Sequence, residues 1–224
     1  MGKLYLVPTP IGNLKDITLR AIDVLAQVDL ILAEDTRKTN KLLKYYEINT
    51  KTKSYHIFNE HKSLDEIINH LISDKNIALV SDSGFPCISD PGFLLVREVI
   101  RKKINLESLP GASSIIPALT QSGFPITNFV FEGFLPKKKG RRKKILELSN
   151  ERRTSVLFES PYRLIKLLNE IKDICGEEKK ISISREISKI FEETIRGTIS
   201  ECLLHYENKE PKGEFVVCIQ GLKS

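Results

Sequence analysis

One stretch constrains this chain more than any other: Ala78-Leu79-Val80-Ser81-Asp82-Ser83-Gly84-Phe85-Pro86-Cys87-Ile88-Ser89-Asp90-Pro91-Gly92. A short apolar run bounded by turn residues reads as a strand buried on both faces, as in parallel sheets. The run breaks into a loop with two Asp, three Ser, two Gly and two Pro. Pro91 falls at the expected first turn of a helix, where a missing N–H costs nothing. In open α/β sheets, ligands sit beyond the carboxyl ends of the strands. The loop is therefore the first candidate for a small-molecule site. As a plain connector it would need only Asp90 as a helix cap.

The same strand–loop–helix order recurs through the first half. Lys3–Val7 is a strand ending in Pro8-Thr9-Pro10-Ile11-Gly12-Asn13, a stretch dense in turn residues. Asp16 or Thr18 is placed to cap the following helix, whose apolar stripe is Ile22, Leu25 and Val28. Leu30–Ala33 is a second buried strand, ending in Glu34-Asp35-Thr36-Arg37-Lys38-Thr39, and Lys41–Tyr46 reads as helix. Ser54–Phe58 fits a third strand. Ser63 and Glu66 match a capping box, with Leu64, Ile67, Ile68, Leu71 and Ile72 at core-facing helical spacing. After the Ala78 strand and a helix over Phe93–Lys103 come a strand at Asn105–Leu109, the turn Pro110–Ser114 and a helix over Ile115–Gln121. Such alternation predicts a mostly parallel sheet. It lines four polar or Gly/Pro-rich loops along one edge, as the rim of a site.

The second half changes character. Strands are expected at Phe129–Phe134, Thr154–Glu159, Ile181–Arg185, Phe191–Thr198 and Gly213–Gln220, with helices at Ile145–Asn150 and after Ser160-Pro161. Leu164, Leu167, Leu168, Ile171 and Ile174 give that last helix its core face, and Gly176 ends it. The reading is α/β with two domains: residues 1–114 on a mostly parallel sheet and residues 115–224 on a mixed one.

Charge is concentrated. Lys137-Lys138-Lys139-Gly140-Arg141-Arg142-Lys143-Lys144 carries seven basic residues, more than the whole chain's net +6, so the remainder is slightly acidic. A local cationic patch suits a polyanion such as nucleic acid. Other chemistries lack their signatures. There is no phosphate-binding Gly-x-x-x-x-Gly-Lys-Ser/Thr loop, no Gly-x-Gly-x-x-Gly and no Gly-x-Ser-x-Gly elbow. Four cysteines (Cys87, Cys175, Cys202, Cys218) and four histidines are scattered, so neither a metal nor a disulfide framework is expected. His70 is expected to be exposed. No apolar run reaches the roughly 18 residues of a membrane span. The Met1–Pro8 start reads as strand rather than signal peptide, which places the protein in the cytoplasm.

At this point the motifs themselves carry a resemblance. Val7–Leu14, Ala33–Arg37, Val80–Gly92 and Leu109–Ser114 resemble the tetrapyrrole-methylase superfamily, in particular its members acting on ribosomal RNA. So do Phe131–Pro136, Phe158–Arg163, Arg185-Glu186, Glu192-Glu193 and Gly213–Phe215. The likeness runs nearly end to end. Ser83 and Phe85 depart from it, standing where Ala and Thr are expected. It implies a class III methyltransferase fold, a homodimer, and S-adenosylmethionine held in a cleft between two α/β domains. The implied cofactor contacts are Pro10, Gly12, Ser81, Asp82, Ser83, Gly84, Phe85, Ala112, Ser113, Ser114, Leu157, Phe158, Gly213 and Glu214. The implied reaction is methyl transfer to the ribose 2′-hydroxyl of a cytidine in 16S rRNA of the small ribosomal subunit. Glu34, Asp35, Glu159 and Glu186 are the candidate proton acceptors, with no choice among them. Lys137, Lys138, Lys139, Arg141, Arg142, Lys143 and Lys144, with Arg37, Lys38 and Arg163, would clamp RNA phosphates. A small tetrapyrrole substrate is the alternative, and a non-catalytic RNA-binding module a third reading.

Overall fold

In a computed structural model describing residues 1–207 and 209–222, the chain forms two units, Met1–Ser113 and Ser114–Ser224. The first holds β1 (Lys3–Val7), α1 (Leu19–Gln27), β2 (Leu30–Ala33), α2 (Thr36–Tyr45), β3 (Thr52–Ser54), α3 (Glu60–Ile72), β4 (Ile77–Val80), α4 (Phe93–Arg101) and β5 (Asn105–Ser108). Its five strands lie in the order β3-β2-β4-β1-β5, and every pairing is parallel. Both faces are buried, and side chains alternate between them. Val7, Ile31, Ala33, Ala78 and Val80 pack with Leu25 of α1 and Leu43 of α2. Leu4, Leu32, Ile77 and Leu79 pack with Ile67 and Leu71 of α3 and Val99 of α4. Apolar burial of this kind stabilises by roughly 1.5–3 kcal/mol per large side chain.

This arrangement fixes where a ligand can go. The connection leaving β1 passes over one face and that leaving its neighbour β4 over the other, as right-handed crossovers in opposite directions require. A crevice opens at such a switch point, beyond the strands' carboxyl ends. Ala33, Val80 and Val7 are in register, so the Glu34, Ser81 and Pro8 loops leave the sheet at one level.

Local chemistry moves several expected boundaries. The third strand stops at Ser54, because the Asn59 side chain accepts the His56 N–H at 2.8 Å and donates to the Ser54 carbonyl at 3.0 Å. This turn leaves Ile57 and Phe58 exposed. Helix α3 therefore starts at Glu60, and Ser63 lies inside it with no capping box. His70 is half-buried, 3.7 Å from Glu66. Helix α4 starts at Phe93 behind Gly92 (φ 136°), so Pro91 precedes the helix and Asp90 does not cap it. A side chain at Gly92 would strike Cys87 and Leu79. Thr18 caps α1 through the Ala21 N–H.

The second unit comprises α5 (Ile115–Ser122), β6 (Phe129–Phe134), α6 (Arg141–Ser149), β7 (Thr154–Glu159), α7 (Pro161–Cys175), β8 (Lys180–Arg185), β9 (Glu193–Thr198), α8 (Ile199–Glu207) and β10 (Phe215–Ile219). Its sheet runs β6-β7-β10-β8-β9, parallel between β6 and β7 and antiparallel elsewhere. Leu157, Ile183 and Val217 meet α6, α7 and α8 in one core on one face, and α5 covers β8 and β10. Strand β9 begins two residues later than expected, leaving Phe191 exposed, and β10 begins at Phe215. Helix α6 starts at Arg141, so the second half of the basic run is helical. Among the described residues, no helix is long and apolar enough to cross a membrane.

Candidate functional site

The crevice of the first unit has a hydrogen-bonded floor. Thr9 and Gly84 exchange two backbone hydrogen bonds of 3.0 and 2.9 Å, stitching the loop after β1 to the loop after β4. The Thr9 hydroxyl donates to the Ser81 carbonyl at 3.0 Å. The buried Ser81 hydroxyl donates to the Gly84 carbonyl and accepts the Ser83 N–H. Gly84 sits at φ 78°, where an L side chain is strained, and a Cβ there would meet Ile11 at 3.3 Å. A Cβ on Gly111 would lie 2.7 Å from Pro8. Three of the four rim loops thus pack against one another.

Around this floor stand carboxylates. Asp82 accepts the Asp35 N–H at 3.1 Å and the Lys38 ammonium at 2.8 Å, tying the end of β4 to the start of α2. Asp35 caps α2 through the Arg37 N–H and also holds the Arg37 guanidinium. These bonds to Arg37 lower its pKa to about 2. Glu34 moves the other way: burial, then the neighbouring Asp90 and Asp82 charges, raise its pKa. Asp90 is raised by burial and by the Asp82 charge, with the nearby Ser81 hydroxyl opposing the rise. Lys38, and then His56, oppose the rise at Glu34, and the buried His56 Nδ1 has no hydrogen-bond partner among the described residues. The four carboxylates outnumber Arg37 and Lys38, so the rim keeps a net negative charge suited to a cationic ligand. No group of His, Cys, Asp and Glu among the described residues is placed to hold a metal ion.

The implied contacts fall as follows. Pro10 is half-buried and Gly12 exposed at the β1 loop, Ser83 is exposed, and Phe85, Ala112 and Ser113 are partly covered. Ser114 belongs to the second unit, at the N-cap of α5. The Leu157 side chain is wholly buried in the second unit's core and offers a ligand no surface. Phe158 is half-buried on the other face, edge-on to Phe131 at 5.0 Å. Gly213 (φ 93°) packs so tightly on Glu186 that a Cβ would overlap its carboxylate. The Glu214 side chain is exposed, with its N–H on Glu186.

Two of the four candidate proton acceptors are engaged elsewhere. Glu159 is fully buried, accepting the Ser160 N–H at 2.8 Å and Arg163 at 2.7 Å, with Arg141 at 3.5 Å. Glu186 is lowered: Lys189 and the Glu214 N–H outweigh its burial. Both carboxylates are held in ion pairs.

The basic set also divides. Lys137, Lys138, Lys139, Arg142 and Lys143 are exposed and make no ion pair among the described residues. Arg141 is only 3% exposed, bonded to Glu170 at 2.7 Å and to the Pro136 carbonyl at 3.3 Å, so it cannot grip a phosphate. Lys144 pairs with Glu132 at 2.8 Å and Arg163 with Glu159, while Arg37 and Lys38 are held by Asp35 and Asp82. The four thiols are free and raised by burial. Sequence reasoning missed His56 as a rim residue, since the third strand was expected to run through it; the available signal was its place just past Ser54, where β3 ends.

Comparison with known proteins bears on this geometry. Residues 3–203 match the family model described as Tetrapyrrole (Corrin/Porphyrin) Methylases. The chain is 47% identical over 221 residues to Ribosomal RNA small subunit methyltransferase I of Thermotoga maritima, covering 99% of each chain. It is also 47% identical over 222 residues to the protein of the same name from Bacillus subtilis, covering 99% of this chain and 76% of that one. Among solved structures, uroporphyrin-III-C-methyltransferase from Thermus thermophilus matches with TM-score 0.67 at 20% identity, over 98% of this chain and 94% of that one. A structure of uroporphyrin-III C-methyl transferase from Thermus thermophilus complexed with S-adenyl homocysteine matches with TM-score 0.67 at 15% identity over 97% of each chain. At such identities these structures speak to the fold.

Proposed function

The chain belongs to the tetrapyrrole methylase family, and from that premise we propose that it transfers a methyl group from S-adenosylmethionine to the ribose 2′-hydroxyl of a cytidine in the 16S RNA of the small ribosomal subunit. Relatives that share nearly half its residues along almost its whole length, and that bear the name of a ribosomal RNA methyltransferase, support the reading. One observation carries the substrate class: five exposed cationic side chains without acidic partners among the described residues, at Lys137–Lys139, Arg142 and Lys143. A small tetrapyrrole needs no such patch, whereas a phosphate backbone does.

The first unit's rim fits the cofactor by charge. Asp82 has lone pairs left to accept from an ammonium beyond its bonds to the Asp35 N–H and Lys38, and the half-buried Asp90 adds negative charge beside it. When bound, S-adenosylmethionine supplies an electrophilic sulfonium methyl. The Ser81–Phe85 loop, braced by Thr9, and the Ala112-Ser113 turn hold and orient it. Such alignment carries much of the rate when the nucleophile is a weak hydroxyl. Glu34 takes the hydroxyl's proton. Its raised pKa makes it a stronger base than a free carboxylate, in contrast to the Arg37-bound Asp35. The protein acts in the cytoplasm as a homodimer.

The test is transfer from methyl-labelled S-adenosylmethionine to small ribosomal subunits, followed by nucleoside analysis. Labelled 2′-O-methylcytidine is the expected product. Cofactor binding without transfer to RNA would overturn the substrate and favour a small tetrapyrrole.

A further inference from the structure

Strand β6 of the second unit is irregular. Between Phe131 and Gly133 the β6–β7 register slips by one residue, with Gly133 at φ 59°. A bulge reverses the side-chain alternation beyond it and re-aims the next residue. Phe134 is thereby opposite Phe158, 5.6 Å from its ring, on the face Phe158 shares with Phe131. The aromatic row ends in the open: Phe134 is 53% exposed, with the Arg163 guanidinium 5.8 Å from its ring centre. One turn away in the chain, Tyr162 is 96% exposed at the start of α7. Strands β6 and β7 are parallel, so Phe134, the last residue of β6, and the start of α7 with Tyr162 and Arg163 lie at the same end of the sheet, joined by the Arg163 guanidinium over the Phe134 ring. Lysines 137–139, without ion pairs among the described residues, follow Phe134 after Leu135 and Pro136, and the buried Arg141 pins that segment through the Pro136 carbonyl.

From this we infer that Phe134 and Tyr162 form a stacking platform for unpaired RNA bases, with Lys137–Lys139 holding the adjoining phosphates. The inference rests on the RNA reading and deepens it, since a phosphate clamp alone cannot tell single strand from duplex. Exposed rings beside unneutralised cations are what a single strand requires: every base has a π-face to stack, and the backbone needs counter-charge. The adjacent positive charge selects a polyanion over an apolar protein surface as occupant. The bulge is the device that brings Phe134 out of its strand's alternation.

The experiment measures binding of a cytidine-rich single-stranded RNA 12-mer by fluorescence anisotropy across a salt series, with its duplex and its abasic counterpart as controls. Tyr162→Ala and Phe134→Leu should each weaken single-strand binding roughly tenfold and leave the salt slope unchanged. Tyr162→Phe should restore it, and the abasic strand should not distinguish wild type from variants. Equal losses on the abasic strand, an altered salt slope or unchanged affinity would overturn the platform. A shift in sedimentation instead of in RNA affinity would assign the rings to a second copy of the chain. Each readout is independent of methyl transfer, so failure of the proposed reaction would be seen separately in the transfer assay.

Discussion

At the scale of single residues, environment separates carboxylates that the sequence leaves equivalent. Glu34 and Asp35 are adjacent, yet burial and two acidic neighbours raise one while Arg37 lowers the other. A raised carboxylate serves as a base only above its pKa. Transfer should therefore rise with pH through an acid limb set by Glu34, and level off once Glu34 is ionised. Glu34→Gln should lose about 10²–10⁴-fold in kcat and abolish that limb, while cofactor affinity in calorimetry stays within a few-fold. An unchanged acid limb in the variant would remove Glu34 from the reaction.

At the scale of elements, the buried Arg141 joins three pieces of the second unit: the basic segment, β7 through Glu159 and α7 through Glu170. Removing one member of a buried ion pair strands the others and costs about 3–5 kcal/mol. Arg141→Ala should lower the denaturant midpoint accordingly, and an unchanged midpoint would show that the network contributes nothing to stability. This residue also marks what was legible in the sequence. The first unit's sheet was readable because Leu4–Val7, Leu30–Ala33 and Ile77–Val80 are apolar on both faces, a local signal. The run around Arg141 was readable as charge but not as partnership, since Glu159 and Glu170 are distant in sequence. The Ser63 capping box failed because the Asn59 side chain set an earlier helix start. The four rim loops were legible from composition. Their mutual bracing was not, because it depends on contacts such as Thr9 with Gly84, made across the sheet.

At the scale of the whole molecule, the unpaired cations set the electrolyte response. Each phosphate neutralised on a single strand contributes about 0.7 to the slope of log K against log salt. Replacing Lys137, Lys138, Lys139, Arg142 and Lys143 by Ala should flatten that slope by roughly 3 to 4, whereas Lys144→Ala should leave it nearly intact because Glu132 already compensates that charge. Equal slopes for the two variants would place the clamp elsewhere. The bridge between Thr9 and Gly84 has a thermal consequence. Its amide protons bond the loop after β1 to the loop after β4, and those loops leave neighbouring strands of the sheet. The floor of the crevice has no loosening step of its own, so on heating it is lost together with the sheet. Cofactor capacity should vanish in the same transition as the fold, giving an enzyme that is either whole or inert, with no warm, slackened intermediate.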